Sequence, residues 1–202
     1  MKTIGICASG PSLTIVDCEK IRKHCDEVIA VNDTWRMVRA DHLYAADQHW
    51  WVHHIHDINM GFSGKRYSCD PPGNTNWGKR DPKEWGVTVF DALISANGLS
   101  RDPGAVVTGG NSGYQAIGLA RHLLGDEGGR IILLGFDMCW TNGKSHWFGD
   151  HPKGLNNAEP NRYVAAYRTI KPEEYNLEII NCSRTTALDA FPIHNLDDIF
   201  KD

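Results

Sequence analysis

The sequence has no run approaching the ~20 consecutive apolar residues that a membrane-spanning helix needs, and its first ten residues, MKTIGICASG, lack the apolar stretch of a secretory leader. Both absences predict a soluble, cytoplasmic protein. The six cysteines, Cys7, Cys18, Cys25, Cys69, Cys139 and Cys182, form no CxxC pair. Their scatter points to free thiols in a reducing compartment rather than to a disulfide framework. An excess of positive charge is also missing. At a formal net charge of −4 the chain has no electrostatic footprint for duplex nucleic acid, although a local basic groove stays open. The Ser9-Gly10-Pro11-Ser12-Leu13 turn after the first apolar run lacks the GxGxxG spacing of dinucleotide binding and the GK[ST] ending of a P-loop, and no Glu completes an HExxH, so none of these readings is supported. No internal repeat or low-complexity tract appears.

What is present is a core-forming chain. Its 202 residues are 41% hydrophobic, enough for one domain spanning 1–202. Short apolar runs predict strands at 3–8, 27–31, 42–46, 106–107, 130–134 and 177–181, with a further one near 65–69. Between them, helices are predicted at 18–25 behind an Asp17 cap, 35–38, 50–58, 113–124 and 160–170, and a Pro/Gly-rich loop at 69–78. Alternating strands and helices predict an α/β, Rossmann-like fold with a largely parallel sheet, flanking helices and a lid-like insertion at 139–158. Polar residues recur directly after the apolar runs, namely Ser9, Asn32, Asp47, Asn111, Asp137 and Ser183. In an open parallel sheet such strand ends converge on one ligand cleft, although polar turns account for part of the recurrence.

Two turns are candidates for phosphate binding. In Ser9-Gly10-Pro11-Ser12-Leu13, glycine permits close backbone approach and proline stiffens the turn. In Gly109-Gly110-Asn111-Ser112-Gly113, the polar side chains either cap the next helix or leave its N–H groups to an anion. His49 and His53 stand at i, i+4 behind Asp47, a spacing compatible with a shared metal, but no metal site is assigned there. Asp47 itself is the stronger candidate, and Trp50 and Trp51 are expected to wall a pocket or pack the helix. Ser145-His146-Trp147-Phe148-Gly149-Asp150-His151 supplies two histidines suited to proton transfer near neutral pH. Thr141-Asn142-Gly143-Lys144 before it reads as a flexible flank. The alternative is an ordered surface loop. Exposed aromatics such as Trp77 and Trp85 leave room for a homo-oligomer contact.

Several of these segments resemble the bacterial CMP-sialic-acid sialyltransferases built on a single Rossmann-like domain with a lid. Ser9-Gly10-Pro11-Ser12-Leu13 is similar to their G-P-S-L turn, and Val31-Asn32 to their Cys-Asn strand end. Asn111-Ser112-Gly113 is similar to their helix entry, Gly135-Phe136-Asp137 to their Gly-Ile-Asp, and Ser145 to His151 to their Ser-His-Tyr-Ile-Gly-His. The G-P-S-L and G-[FIY]-D pair also resembles 6-hydroxymethylpterin diphosphokinase-like proteins. Most of the chain, including N-S-G-Y-Q-A and N-C-S-R-x-T-A-L-x-A-F-P, resembles a group of phage and prophage proteins, a likeness that brings no reaction.

The transferase resemblance implies that Ser9, Gly10, Asn32, Asn111, Ser112 and Gly113 line a nucleotide or nucleotide-sugar site. Pro11, Ser12, Gly110 and Asp137 join them as nucleotide-binding candidates, and His146, Asp47 and His151 are the catalytic ones. His146 would deprotonate an acceptor whose nature stays open, and no cofactor would be required. Where those enzymes use lid tyrosines on the leaving phosphate, this chain has Trp140, Trp147 and Phe148, with Asp150, His151, Lys144 or Arg162 as replacements. The diphosphokinase resemblance implies instead a phosphoryl transfer with Asp47 and Asp137 holding Mg²⁺. A non-catalytic nucleotide-binding protein is the third alternative.

Overall fold

The computed structural model describes residues 1–71, 81–152, 155 and 159–201. Its apolar runs form one sheet of eight strands in the order β6-β5-β4-β3-β2-β1-β7-β8. The strands are β1 (Thr3–Cys7), β2 (Glu27–Val31), β3 (His42–Tyr44), β4 (Lys65–Asp70), β5 (Val87–Leu93), β6 (Ala105–Val107), β7 (Gly129–Leu134) and β8 (Leu177–Asn181). Every neighbouring pair is parallel, which confirms the α/β, Rossmann-like expectation.

Parallel strands are covered on both faces, so they read as continuous apolar runs whose alternate residues serve two cores. Ile4, Ile6, Ile29, Val31, Ile131 and Leu133 point to one core, shared with α3 (Ser112–Leu124) and the short α4 (Val164–Tyr167). Cys7, Val28, Ala30, Ile132 and Leu134 point to the other, packed by α1 (Ile15–His24), α2 (Gln48–Gly61) and Leu196 of α5 (Leu196–Ile199). Gly5 in β1 lets α1 approach closely: a Cβ there would lie 2.6 Å from Ile21 Cγ1.

The chain order places the site. Strands β1 to β6 proceed toward one edge, after which α3 runs back beneath the sheet and β7 pairs with the free side of β1. Connections therefore diverge on either side of the β1–β7 boundary, and a crevice opens there at the carboxyl ends of the strands.

Several local expectations need correction. β5 has no counterpart among the expected strands, because only Val87, Phe90 and Ala92 of its VTVFDAL are buried and it lacks the continuous apolar run that marks its neighbours. Helix α1 begins three residues before the expected start, with Thr14 rather than Asp17 as its cap: the Thr14 hydroxyl accepts the Asp17 N–H at 3.2 Å. Asp17 instead holds Arg184 through two contacts of 2.7 and 2.8 Å. The helix expected at 35–38 is a 3₁₀ turn over Asn32–Arg36, and that expected at 160–170 is a 3₁₀ turn at Pro160–Tyr163 followed by the single turn α4.

Trp85 is buried in the second core rather than exposed. Trp77 and most of the 69–78 loop lie outside the described residues, while Cys69 and Asp70 end β4. Residues Thr141 and Lys144 are not a flexible flank. Their backbones exchange two hydrogen bonds of 3.1 Å across a tight turn in which Asn142 and Gly143 take positive φ, the arrangement that an Asn-Gly pair favours. Among the described residues no helix is long and apolar enough to cross a membrane.

Candidate functional site

Five of the six polar strand ends singled out in the sequence line one cavity of about 300 Å³: Ser9, Asn32, Asp47, Asn111 and Asp137. Gly10, Gly110, Ser112, Gly113, His146 and His151 line it too. The sixth strand end, Ser183, is buried elsewhere and accepts the Phe136 N–H at 2.8 Å. Pro11 and Ser12 are also not part of the wall.

Ser12 acts through Asp137. Its N–H and hydroxyl reach the two carboxylate oxygens at 2.9 and 2.7 Å, and the Thr141 hydroxyl adds a bond of 2.9 Å. This clamp joins the turn after β1 to the turn after β7. Glycine is required at the junction, because a Cβ on Gly10 would lie 2.1 Å from Asp137 Oδ1 and 2.4 Å from the Gly135 carbonyl. Burial raises the Asp137 carboxyl pKa, against the Ser12 and Thr141 bonds that lower it. Asp47 caps α2, its Oδ1 accepting the His49 N–H at 2.7 Å.

For Mg²⁺, three of the four lone-pair sites on Asp137 are already used and Asp47 spends one on its cap. Among the described residues no three His, Cys, Asp or Glu side chains converge to hold an ion. His49 and His53 are both exposed, on the outer side of α2. This donor set does not fit a magnesium ion.

The N-terminus of α3 is built for close approach. Gly109 and Gly110 take positive φ of 50° and 84°, and a Cβ on Gly110 would stand 2.9 Å from the Tyr163 ring. Ser112 ties the helix to β3 by accepting the Ala46 N–H at 3.1 Å, which leaves its own hydroxyl proton to donate. Asn111 does cap the helix: its Oδ1 accepts the Tyr114 N–H at 3.1 Å and the buried Tyr167 hydroxyl at 2.8 Å. Two donors on Oδ1 fix the amide, so Nδ2 is set as a donor. It is buried with no partner among the described residues.

Trp147 ties its segment to the end of β1 and the turn after β2. The Trp147 N–H donates to the Ser9 carbonyl at 2.9 Å, and its indole reaches the buried Thr34 hydroxyl at 3.4 Å. His146, beside it, has Nδ1 at 3.2 Å from the Gly149 carbonyl and 2.9 Å from Ser145 Oγ. A carbonyl only accepts, so Nδ1 carries the hydrogen and Nε2 the lone pair. Burial and the neighbouring His151 push the His146 pKa down to about 4, so the ring is neutral at neutral pH.

Trp50 walls the cavity, as one of the two roles expected for it, and donates its indole N–H to Asp33 at 2.9 Å. Tyr163 is the chemically important wall residue that sequence reasoning did not reach. It brings a phenol to the cavity with the Arg162 guanidinium 5.5 Å from its ring centroid. The sequence pointed to Arg162, but nothing local in Pro-Asn-Arg-Tyr signals that its tyrosine packs on a glycine more than fifty residues earlier. No family model, curated protein or solved structure matches this chain.

Proposed function

We propose that the protein is a glycosyltransferase-like enzyme that binds a nucleotide-activated sugar in this cavity and passes the sugar to an acceptor hydroxyl, with His146 as general base. The observation that carries the reading is a neutral histidine, its Nδ1 held on a backbone carbonyl, in the same cavity as an open, glycine-flanked helix N-terminus. The first N–H groups and dipole of α3 favour an anion. Asn111 Nδ2, the Ser112 hydroxyl and the Tyr163 phenol add donors, so the leaving phosphate has the phenol that Trp140, Trp147 and Phe148 cannot supply. A cavity of about 300 Å³ is at the small end for ligands and suits a nucleoside monophosphate unit better than a dinucleotide.

In the empty cleft His146 is a weak base. A phosphate arriving with its negative charges raises the imidazole pKa toward the range in which proton abstraction is efficient. Burial thus keeps the ring unprotonated until the donor is in place.

The test is calorimetry with CMP, UDP and ATP, each with and without Mg²⁺, on the wild type and on His146→Ala. Metal-independent binding of CMP or UDP that survives His146→Ala is expected, together with loss of nucleotide release from a nucleotide sugar in the variant. Binding of ATP only with Mg²⁺ would overturn the reading in favour of phosphoryl transfer. Binding without any turnover of nucleotide sugars would leave a nucleotide-binding protein.

A further inference from the structure

We infer that His151 is a second catalytic residue, the general acid that protonates the departing nucleotide phosphate while His146 takes the proton of the acceptor. This assignment rests on the transferase reading above. The two imidazoles line the same cavity with ring centroids 4.6 Å apart and planes tilted by 58°. Phe148 stacks on His146 at 5.0 Å and lies 5.0 Å from His151, so one apolar ring backs both. Two imidazoles this close disfavour double ionisation, so the pair carries one positive charge at most.

The surroundings decide which ring holds it. His151 is lowered first by burial, but Asp33 after β2, Asp47 at the start of α2 and Asp150 in its own loop all favour its charged form, with His54 of α2 opposed. His146 is lowered by burial and then by His151 itself, with weaker support from Asp150 and Asp33. Both rings are lowered, but the strongest charge effect on His151 is the favourable Asp33 carboxylate while that on His146 is the unfavourable His151, so His151 is the ring that takes up the proton.

Both rings line the cavity that Gly110, Asn111, Ser112 and Gly113 at the N-terminus of α3 also line, where a phosphate would sit. His146 adjoins Trp147, which is tied to Ser9 at the end of β1.

In the transfer, the acceptor O–H loses its proton to His146 Nε2 as its oxygen bonds the anomeric carbon. The bond from that carbon to the phosphate oxygen breaks with its electron pair on oxygen, and the His151 proton closes the valence. The products are the glycosylated acceptor and the protonated nucleotide phosphate. Exchange of one proton with solvent resets each ring.

The measurement is the number of protons taken up when CMP binds, from calorimetry at pH 7 in buffers of contrasting ionisation enthalpy. The wild type and His146→Gln are expected to take up close to one proton per CMP. His151→Gln is expected to take up almost none while its affinity stays within tenfold, with an unchanged denaturation midpoint showing that it folds. If His151→Gln does not fold, His151→Asn with the same measurement takes its place. Binding without uptake in the wild type, or uptake retained in the His151 variant, would overturn the assignment. Uptake lost only in His146→Gln would give the proton to the other ring. Absence of CMP binding in the wild type would overturn the transferase reading, and the acid with it.

Discussion

The Asp137 carboxylate can be removed in two ways that separate a clamp from a charge. It receives the Ser12 N–H, the Ser12 hydroxyl and the Thr141 hydroxyl at 2.9, 2.7 and 2.9 Å, and only 2% of the residue is exposed. In Asp137→Ala both hydroxyls can rotate toward other acceptors, but the Ser12 N–H cannot. One buried, unpaired N–H costs about 1–3 kcal/mol, and the small void left by the carboxylate adds about 1 kcal/mol, for a loss of about 2–4 kcal/mol. Asp137→Asn keeps an oxygen for the Ser12 N–H and Thr141 and presents its NH₂ to the Ser12 oxygen, so a loss of less than about 1 kcal/mol is expected. Urea denaturation measures both, read as midpoints at unchanged slope. Equal destabilisation by the two variants would refute the clamp and show that the negative charge itself is needed. Nucleotide binding without metal should survive in Asp137→Asn.

The other predictions concern the cleft. Between about pH 6.5 and about pH 4 the unfolded chain binds more protons than the folded one, because His146 is depressed to about 4; stability therefore falls on acidification through that window, by up to ~3 kcal/mol. His146→Ala should flatten the dependence of the urea midpoint on pH, and an unaltered slope would show that His146 is not its source. Asn111→Asp retains the Oδ1 contacts to Tyr114 and Tyr167 but puts a negative oxygen where Nδ2 stood, so CMP affinity should fall at least tenfold by calorimetry while the fold persists. Gly110→Ala forces a side chain into φ 84° against Tyr163; it should cost about 1–2 kcal/mol in urea denaturation and weaken CMP binding. Tyr163→Phe should leave the denaturation midpoint unchanged and slow nucleotide release from a nucleotide sugar.

The site combines two kinds of order. Asp137, Ser12, Gly10 and Gly135 build the frame at the β1–β7 boundary, and the donors a ligand would meet come from α3, the lid and the turn before α4. This division explains why Ser12 reads as a binding residue in the sequence although it faces Asp137 rather than the cavity. Polar groups after strands look alike whether they face a ligand or each other, and only the distances between the two turns separate the cases.

The sequence by itself determined the α/β class, the parallel sheet and the convergence of strand-end polar residues, because buried parallel strands must be continuously apolar and must stop at polar turns. Runs such as Arg130 to Leu134 and Glu27 to Val31 carry that information within five residues. It did not determine β5, whose alternating burial follows from its place beside the edge of the sheet, nor the Thr14 cap, where Thr14 and Asp17 compete for neighbouring positions. Only the tertiary structure decided which strand ends face the cavity, that Asn111 is locked by Tyr167, that Tyr163 covers Gly110 and that His146 and His151 share one wall. Each of these joins segments remote in the chain or turns on backbone direction, and side-chain chemistry read along a line does not contain the angles that bring them together.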